Sequence, residues 1–418
     1  MTSVIQVKVW GRTAGIASWN PKRQCATFQY APDFVRNGYE ISPIKMPLSN
    51  RTYRFGALNR DTFLGLPGLL ADSLPDAYGS TLMDMWIKNN GFSVKDFTSL
   101  DRLCFIGRRG MGALEYEPAK ERRYEEEEDI DVNLLASLAD KVSHEGEDPE
   151  VKLDDRRINQ LISLGTSAGG ARAKAVVTFD EDMAAIRPGQ SAPGNSQWIL
   201  KFDTESRENK KGYCNIEYAY YLMAQDCGIE MQECRLLDVG ERSHFITKRF
   251  DRDGKEKVHT QTLCALAHYD FKIPAAHSYE DVFAVMREMH MPYSDQEQLF
   301  RRMVFNVVMK NCDDHTKNTS FMMRKGERWR LAPAYDLTYA YDPNNYWIGR
   351  HQTTINGKAE GITKADILKA AYEAGIKNAE NTIDNIIEIS SNWNEYAKIS
   401  RVPDHVTRII RLMHERRI

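Results

Sequence analysis

The sequence predicts an α+β protein, with a β-rich N-terminal module ahead of a small β-rich lobe and a large helical lobe. Three observations carry this. Period-2 alternation of the kind in Val4-Ile5-Gln6-Val7-Lys8-Val9-Trp10 marks the first 118 residues as β-rich. Three strand-like runs, Ala175–Phe179, Trp198–Phe202 and Phe245–Arg252, then surround one helical pattern from Ile216 to Cys227. From about residue 260 the apolar spacing becomes helical, and a chain of 418 residues is too long for one core.

In chain order, the first strand meets a turn at Gly11-Arg12 and is followed by Gly15-Ile16-Ala17 and the strand Ala26–Tyr30. A helical piece follows within Gly65–Asp76. Residues 119–155 are charged and read as a helical connector, and a helix from Asp154 stops at Gly165. Residues 156–258 form the small lobe, with a glycine-rich turn, Gly165 to Lys174, between that helix and a strand. Residues 259–418 form the helical lobe. Within it, Leu299–Met309 reads as a helix, and Ser320–Met323 and Trp329–Ala332 as two strands around the turn Arg324–Arg328. Thr363 with Asp366 reads as an N-cap, Gly375 as a C-cap, and the tail helix from Val406 carries Ile409, Ile410 and Met413 on one face.

Composition narrows the function classes. Apolar content of 42%, charged content of 28% and a net charge of −3 describe an ordinary globular protein with no global attraction to nucleic acid or anionic membrane. No apolar run is long enough to span a bilayer, and the alternating N-terminus does not read as a secretory signal. Seven cysteines stand singly, which fits a reducing cytoplasm and argues against a disulfide frame or structural zinc.

The chemistry concentrates in Asn311-Cys312-Asp313-Asp314-His315-Thr316-Lys317-Asn318 and in Asp336 beyond the two short strands. Phosphoryl transfer from ATP needs this set: one carboxylate to orient the attacking hydroxyl, and an amide oxygen and a second carboxylate to hold Mg²⁺ against the phosphates. Asp313 and Asn318 are also ordinary turn formers and caps. His315, two residues after Asp313, can donate to a transferring phosphate or to that carboxylate. It is equally readable as a loop histidine without a role.

Lys201 follows Trp198-Ile199-Leu200 in a strand. Such a lysine either faces water from an edge or grips phosphates and pairs with a helix glutamate, for which Glu217 is the candidate. The glycine-rich turn lacks the strand–loop–helix order and Gly-Lys-Ser/Thr ending of a Walker loop. A phosphate cover made by its backbone N–H groups and a plain flexible turn both stay open.

Taken in order, these segments resemble the HipA family of bacterial serine/threonine kinases, the toxins of HipA–HipB toxin–antitoxin modules. The resemblance runs over nearly the whole chain. It rests on Gly65–Gly79, Ile106–Leu114, Ser167–Lys174, Lys248–Arg252, Asp313–Asn318, Leu331–Asp336 and Gln352–Gly357. It implies a protein-kinase-like, two-lobed fold behind the N-terminal module. It also implies roles. Asp313 is then the catalytic base or the group that orients the hydroxyl, with His315 beside it, and Asn318 and Asp336 hold Mg²⁺. Lys201 grips the ATP phosphates, and Ser167, Ala168, Gly169, Gly170, Ala171 and Arg172 cover them. Backbone near Lys248 and Phe250 receives adenine, and Ser167, or Thr166 beside it, is the autophosphorylated hydroxyl. The implied partners are a HipB-like helix-turn-helix antitoxin, operator DNA through that antitoxin, and an aminoacyl-tRNA synthetase as substrate. Two departures stand out: Arg172-Ala173 where many members carry Gln-Glu, and Lys248 at the hinge. Two rival readings are a lipid-type kinase and a degenerate kinase fold that serves only as corepressor with the antitoxin.

Overall fold

The computed structural model describes residues 2–75, 77–119, 131–144, 164–165, 172–180, 182–183, 186–187, 195–205 and 210–415. The chain divides into two compact units. The first comprises Met1–Thr204, Leu237–Gln261 and Arg324–Gly326; the second comprises Glu205–Leu236, Thr262–Met323 and Glu327–Ile418.

The first unit opens with a sheet in the order β4-β3-β2-β1-β5, from β1 (Val4–Val9), β2 (Arg12–Asn20), β3 (Cys25–Tyr30), β4 (Thr52–Tyr53) and β5 (Leu114–Glu117). Ile5, Val7 and Val9 are buried while Val4 and Gln6 are exposed, as the alternation predicts. The β1–β2 connection is a two-residue hairpin at Trp10-Gly11. Both residues have positive φ, 48° and 75°, which matches the twist of the paired strands. The module is more helical than the sequence suggests. Gly68–Ala71, Ala77–Asn89 and Ser99–Ile106 are helices, the last closed by a Thr98–Asp101 capping box.

A second antiparallel sheet runs β7-β6-β8-β10-β9, from β6 (Lys174–Phe179), β7 (Ile186–Arg187), β8 (Ser196–Lys201), β9 (Cys234–Val239) and β10 (Arg242–Lys248). The strand expected over Phe245–Arg252 therefore ends at Lys248. Helix Val132–His144, within the charged connector, lays Leu135, Ala136, Leu138 and Ala139 into one core. Leu82 and Ile87 join it from Ala77–Asn89, and Val177, Phe179, Trp198, Leu200 and Ile246 from the sheet. The helix expected from Asp154 lies outside the described residues except for its last two positions.

A charge cluster fastens the turn ahead of β5 to the segment that follows β10. Asp251, with no exposure, accepts from Arg249 Nε at 2.9 Å and Nη2 at 2.7 Å, from Arg252 Nη1 at 2.6 Å and from the Gly112 backbone N–H at 2.7 Å. Arg252 also donates to the Gly110 carbonyl at 2.9 Å. Gly112 needs to be glycine. Its φ is +76°, and a Cβ there would lie 2.9 Å from Thr260 Oγ1. Burial alone would raise the Asp251 carboxyl, but the two guanidinium groups outweigh it and hold it well below the usual carboxylate range.

The second unit is mainly helical, with principal helices Tyr213–Asp226, Tyr279–Glu288, Tyr293–Val308, Lys364–Ala374, Ala379–Ser391 and Asp404–Glu415. The Thr363–Asp366 capping box and the left-handed Gly375 are as the sequence predicts. Ser320–Met323 and Arg330–Leu331 pair as the expected hairpin. In the tail helix Ile410 and His414 are buried, whereas Ile409 is 51% exposed, so the inward face excludes Ile409. The buried Tyr220 hydroxyl donates to the Met309 carbonyl at 2.6 Å and lies 3.0 Å from His414 Nε2. This ties the tail to the end of helix Tyr293–Val308.

Asp251→Ala should destabilise the first unit by about 3–5 kcal/mol, because it strands two buried guanidinium groups. The depressed carboxyl sets the sign with pH: its contribution is present above the unfolded value of about 4 and is lost as pH falls below it. Thermal melts in a pH series should show acid destabilisation that Asp251→Asn flattens. A substitution that leaves both the melting point and its acid slope unchanged contradicts the assignment.

Candidate active site

The candidate loop begins where helix Tyr293–Val308 ends. From Leu299 onward this helix buries Leu299, Phe300, Met303, Val304, Phe305, Val307 and Val308, so its end is rigidly placed. Lys310 adopts φ +55°; its N–H reaches the Val307 carbonyl at 3.5 Å, and the Asn311 N–H reaches Asn306 O at 2.9 Å. This is a Schellman stop with lysine in the position that glycine usually takes. Cys312 N–H then donates to Ala340 O at 2.9 Å. Thr316 Oγ1 donates to Tyr269 O at 2.8 Å, and Thr316 O accepts from Cys264 N–H at 3.1 Å. Around these anchors Asp313, His315, Lys317 and Asn318 are half-buried.

The candidate groups of the loop lie close to one another. His315 Nε2 lies 3.8 Å from Asp313 Oδ1, and the Phe271 ring packs at 5.3 Å from the imidazole with Lys317 Nζ 5.0 Å from the same ring. Asn318 Nδ2 donates to the Asp313 carbonyl at 2.8 Å, which orients the amide and leaves Oδ1 as its acceptor end. Tyr335, adjacent to Asp336, donates to the Lys317 carbonyl at 2.6 Å. The side chain before Asp336 is thus tied to the backbone before Asn318. Asp336 itself sits at φ +53°, a left-handed conformation that Asp tolerates better than most residues and that recurs at functional sites. A carboxylate and an amide oxygen are hard donors of the kind Mg²⁺ takes alongside phosphate oxygens. So Asp336 and Asn318 fit that ion.

Sequence reasoning missed the groups that hold this loop from behind. Asp314, 6% exposed, accepts from Tyr279 OH at 3.0 Å, His351 Nδ1 at 3.0 Å and the Gln352 N–H at 2.7 Å. Its carbonyl accepts from Thr353 Oγ1 at 2.6 Å. Asn306 Nδ2 donates to the Tyr279 oxygen at 2.9 Å, and Asn311 Nδ2 donates to Asn306 Oδ1 at 2.9 Å. Burial works against a charged imidazole, but the Asp314 carboxylate and its hydrogen bond outweigh it and push His351 up to about 10. Burial, then the same carboxylate, raises the Tyr279 phenol, which stays a neutral donor. The only hint in the sequence is that Gln352–Gly357 is a motif without an evident role.

Lys201, Arg172, Lys248 and Phe250 belong to the first unit; Glu217 belongs to the second with Asp313, His315, Asn318 and Asp336. Lys201 closes a central strand rather than an edge strand. It pairs with Lys174 on one side and Phe245 on the other, and its Nζ lies 5.6 Å from the Phe245 ring. Lys248 is exposed and pairs with Trp198, Phe250 is half-buried and Arg172 is exposed. Glu217 is buried one turn inside its helix, not at its first residue. Thr166, Ser167, Ala168, Gly169, Gly170 and Ala171 lie outside the described residues. All seven cysteines are buried and none is in a disulfide. Among the described residues no helix is long and apolar enough to cross a membrane.

Comparison with known proteins adds to this geometry. A "Putative kinase" of Haemophilus influenzae is 29% identical over 135 residues, covering 29% of this chain and 39% of that protein. "Putative kinase Y4dM" of Sinorhizobium fredii is 26% identical over 166 residues, covering 36% of this chain and 38% of its own length. The alignments thus span under two fifths of either relative. A chain of the solved complex of the Shewanella oneidensis MR-1 toxin–antitoxin system HipA, HipB and its operator DNA superposes with a TM-score of 0.68. That match covers 99% of this chain and 97% of that one at 16% identity, so it is a likeness of fold. With the HipA N-terminal domain matched over residues 5–117 and the HipA-like C-terminal domain over residues 166–393, the chain belongs to the HipA family and has its α+β, kinase-like fold.

Proposed function

We propose that this protein is an ATP- and Mg²⁺-dependent serine/threonine protein kinase that acts as the toxin of a toxin–antitoxin pair. The observation that carries the reading is the Asp313–Asn318 loop. It presents a half-buried carboxylate beside a histidine, and an amide whose N–H₂ is engaged at home and whose oxygen is left for a cation.

In this reading Asp313 accepts the proton of the substrate hydroxyl as its oxygen attacks the γ-phosphorus, and the ADP oxygen leaves. His315 steadies the charge on Asp313. Asn318 and Asp336 hold the Mg²⁺ that neutralises the phosphates. Lys201 grips phosphates, Glu217 is its partner, and Arg172 with the preceding glycine-rich turn covers them. Lys248 and Phe250 provide the adenine contact. Ser167 is the self-modified hydroxyl, and a phosphate there adds about 1.5–2 negative charges where ATP docks, which lowers nucleotide affinity. The protein substrate is an aminoacyl-tRNA synthetase. A HipB-like helix-turn-helix partner restrains the toxin and carries it to operator DNA, in the cytoplasm.

Purified protein given γ-labelled ATP should label itself and a protein acceptor. Asp313→Ala should lower that transfer by about 10²–10⁴-fold, the usual weight of a positioned acid–base group. Wild-type transfer by Asp313→Ala, or labelling of lipid in place of protein, refutes the reading. Asp336→Asn preserves the tolerance for left-handed backbone while removing the charge. It should raise the Mg²⁺ concentration needed for half-maximal rate by about tenfold or more, and an unchanged Mg²⁺ titration removes Asp336 from the metal site. Ser167→Ala should abolish self-labelling detected by phosphopeptide mass spectrometry while transfer to the external acceptor persists.

A further inference from the structure

Asp314 shares peptide bonds with both Asp313 and His315, yet it faces the interior. Its carboxylate is gripped from two separate places in the second unit: Tyr279 at the first position of helix Tyr279–Glu288, and His351, Gln352 and Thr353 on the segment that ends in the short strand Thr353–Thr354. Asn306, on helix Tyr293–Val308, reaches the same group through the Tyr279 oxygen. The strand Thr353–Thr354 is itself fastened in parallel to His277–Ser278, one residue before Tyr279. The three supports therefore fix the Asp314 main chain in space.

A buried ion pair of this kind adds little net stability compared with a well-packed apolar pair. Its three-sided geometry does provide a defined position for the residue between the two polar groups of the loop. The groups facing His351 are Asp314 and Cys312, whose Sγ lies 3.8 Å from Nε2; those facing Asp314 are His351 and Tyr279.

We propose that Asp314 and His351 are a positioning pair that aims the Asp313 carboxylate and the Asn318 amide from behind the loop. The proposal rests on the kinase reading for its effect on rate but not for its effect on the loop. Both residues are buried, which keeps them from contact with substrate. Displacements of about 1 Å in a catalytic group cost about 10²-fold in rate, so loss of the pair should lower turnover rather than nucleotide affinity.

The test uses full-length Asp314→Asn, His351→Gln and the double variant, all of which keep hydrogen-bonding side chains. Hydrogen exchange of peptides covering residues 311–320 should rise at least about tenfold in each, while peptides from helix Tyr293–Val308 stay protected. The kcat per ATP-binding site should fall about 10²-fold with KM for ATP within about twofold. The double variant should be no slower than the worse single one, since the two side chains act as a unit. A loss of folded protein alone would leave kcat per ATP-binding site unchanged. Should either charge variant not fold, Tyr279→Phe removes one donor and keeps both charges; it should raise exchange in 311–320 and slow turnover about three- to tenfold. Unchanged exchange in 311–320, or unchanged kcat per ATP-binding site in active enzyme, overturns the proposal. Raised loop exchange in a set where wild type also transfers no phosphate upholds the pair and refutes the kinase reading.

Discussion

The buried carboxylate of Asp314 is the constraint on which the candidate site depends. A carboxylate removed from water must have its oxygens satisfied, and here they are met by a phenol, an imidazolium and a main-chain N–H. Each donor comes at a fixed direction from a packed element, so satisfying the charge and placing the loop are one event. The residues on either side, Asp313 and His315, are half-buried where Asp314 is interior. The interior charge thus specifies where the half-buried one sits.

The first unit uses the same device in a different place. Asp251 gathers Arg249, Arg252 and the Gly112 N–H, and so fastens the glycine turn ahead of β5 to the segment following β10. Two guanidinium groups in forked geometry suit this better than lysines, because they fill both carboxylate oxygens and still reach the Gly110 carbonyl. In both units a short polar motif that looks functional on paper is in part an anchor. The Lys248–Arg252 motif contains one exposed residue, Lys248, while Arg249 and Asp251 are interior.

Left-handed backbone occurs at both borders of the candidate site. Lys310 and Asp336 both take left-handed conformations without being glycine. Lys310 stops a helix whose last two turns are buried, and its strained turn is repaid by two capping hydrogen bonds. Asp336 follows a stretch tied by the Tyr335 hydroxyl to Lys317 and by the Ala334 N–H to Glu230. The ordered surroundings over-determine both positions, which is what allows a strained residue to persist.

Local patterns in the sequence determined a good deal of this protein. The alternation of Ile5, Val7 and Val9 set the inward face of β1. The Thr363–Asp366 box and Gly375 bounded a helix, and the spacing of Asp313, His315 and Asn318 within one loop marked the candidate chemistry. Each depends on interactions within a few residues, where side-chain periodicity and capping leave a readable trace. Tertiary structure alone decided that Asp314 rather than Asp313 faces inward. Tyr279 lies 35 positions from it and His351 lies 37, and nothing in either neighbourhood names the other. The same holds for Gly112 and Asp251, 139 positions apart. Whether a polar residue becomes an interior anchor or an outward-facing group depends on which donors packing brings to it, and packing joins segments whose separation along the chain carries no period.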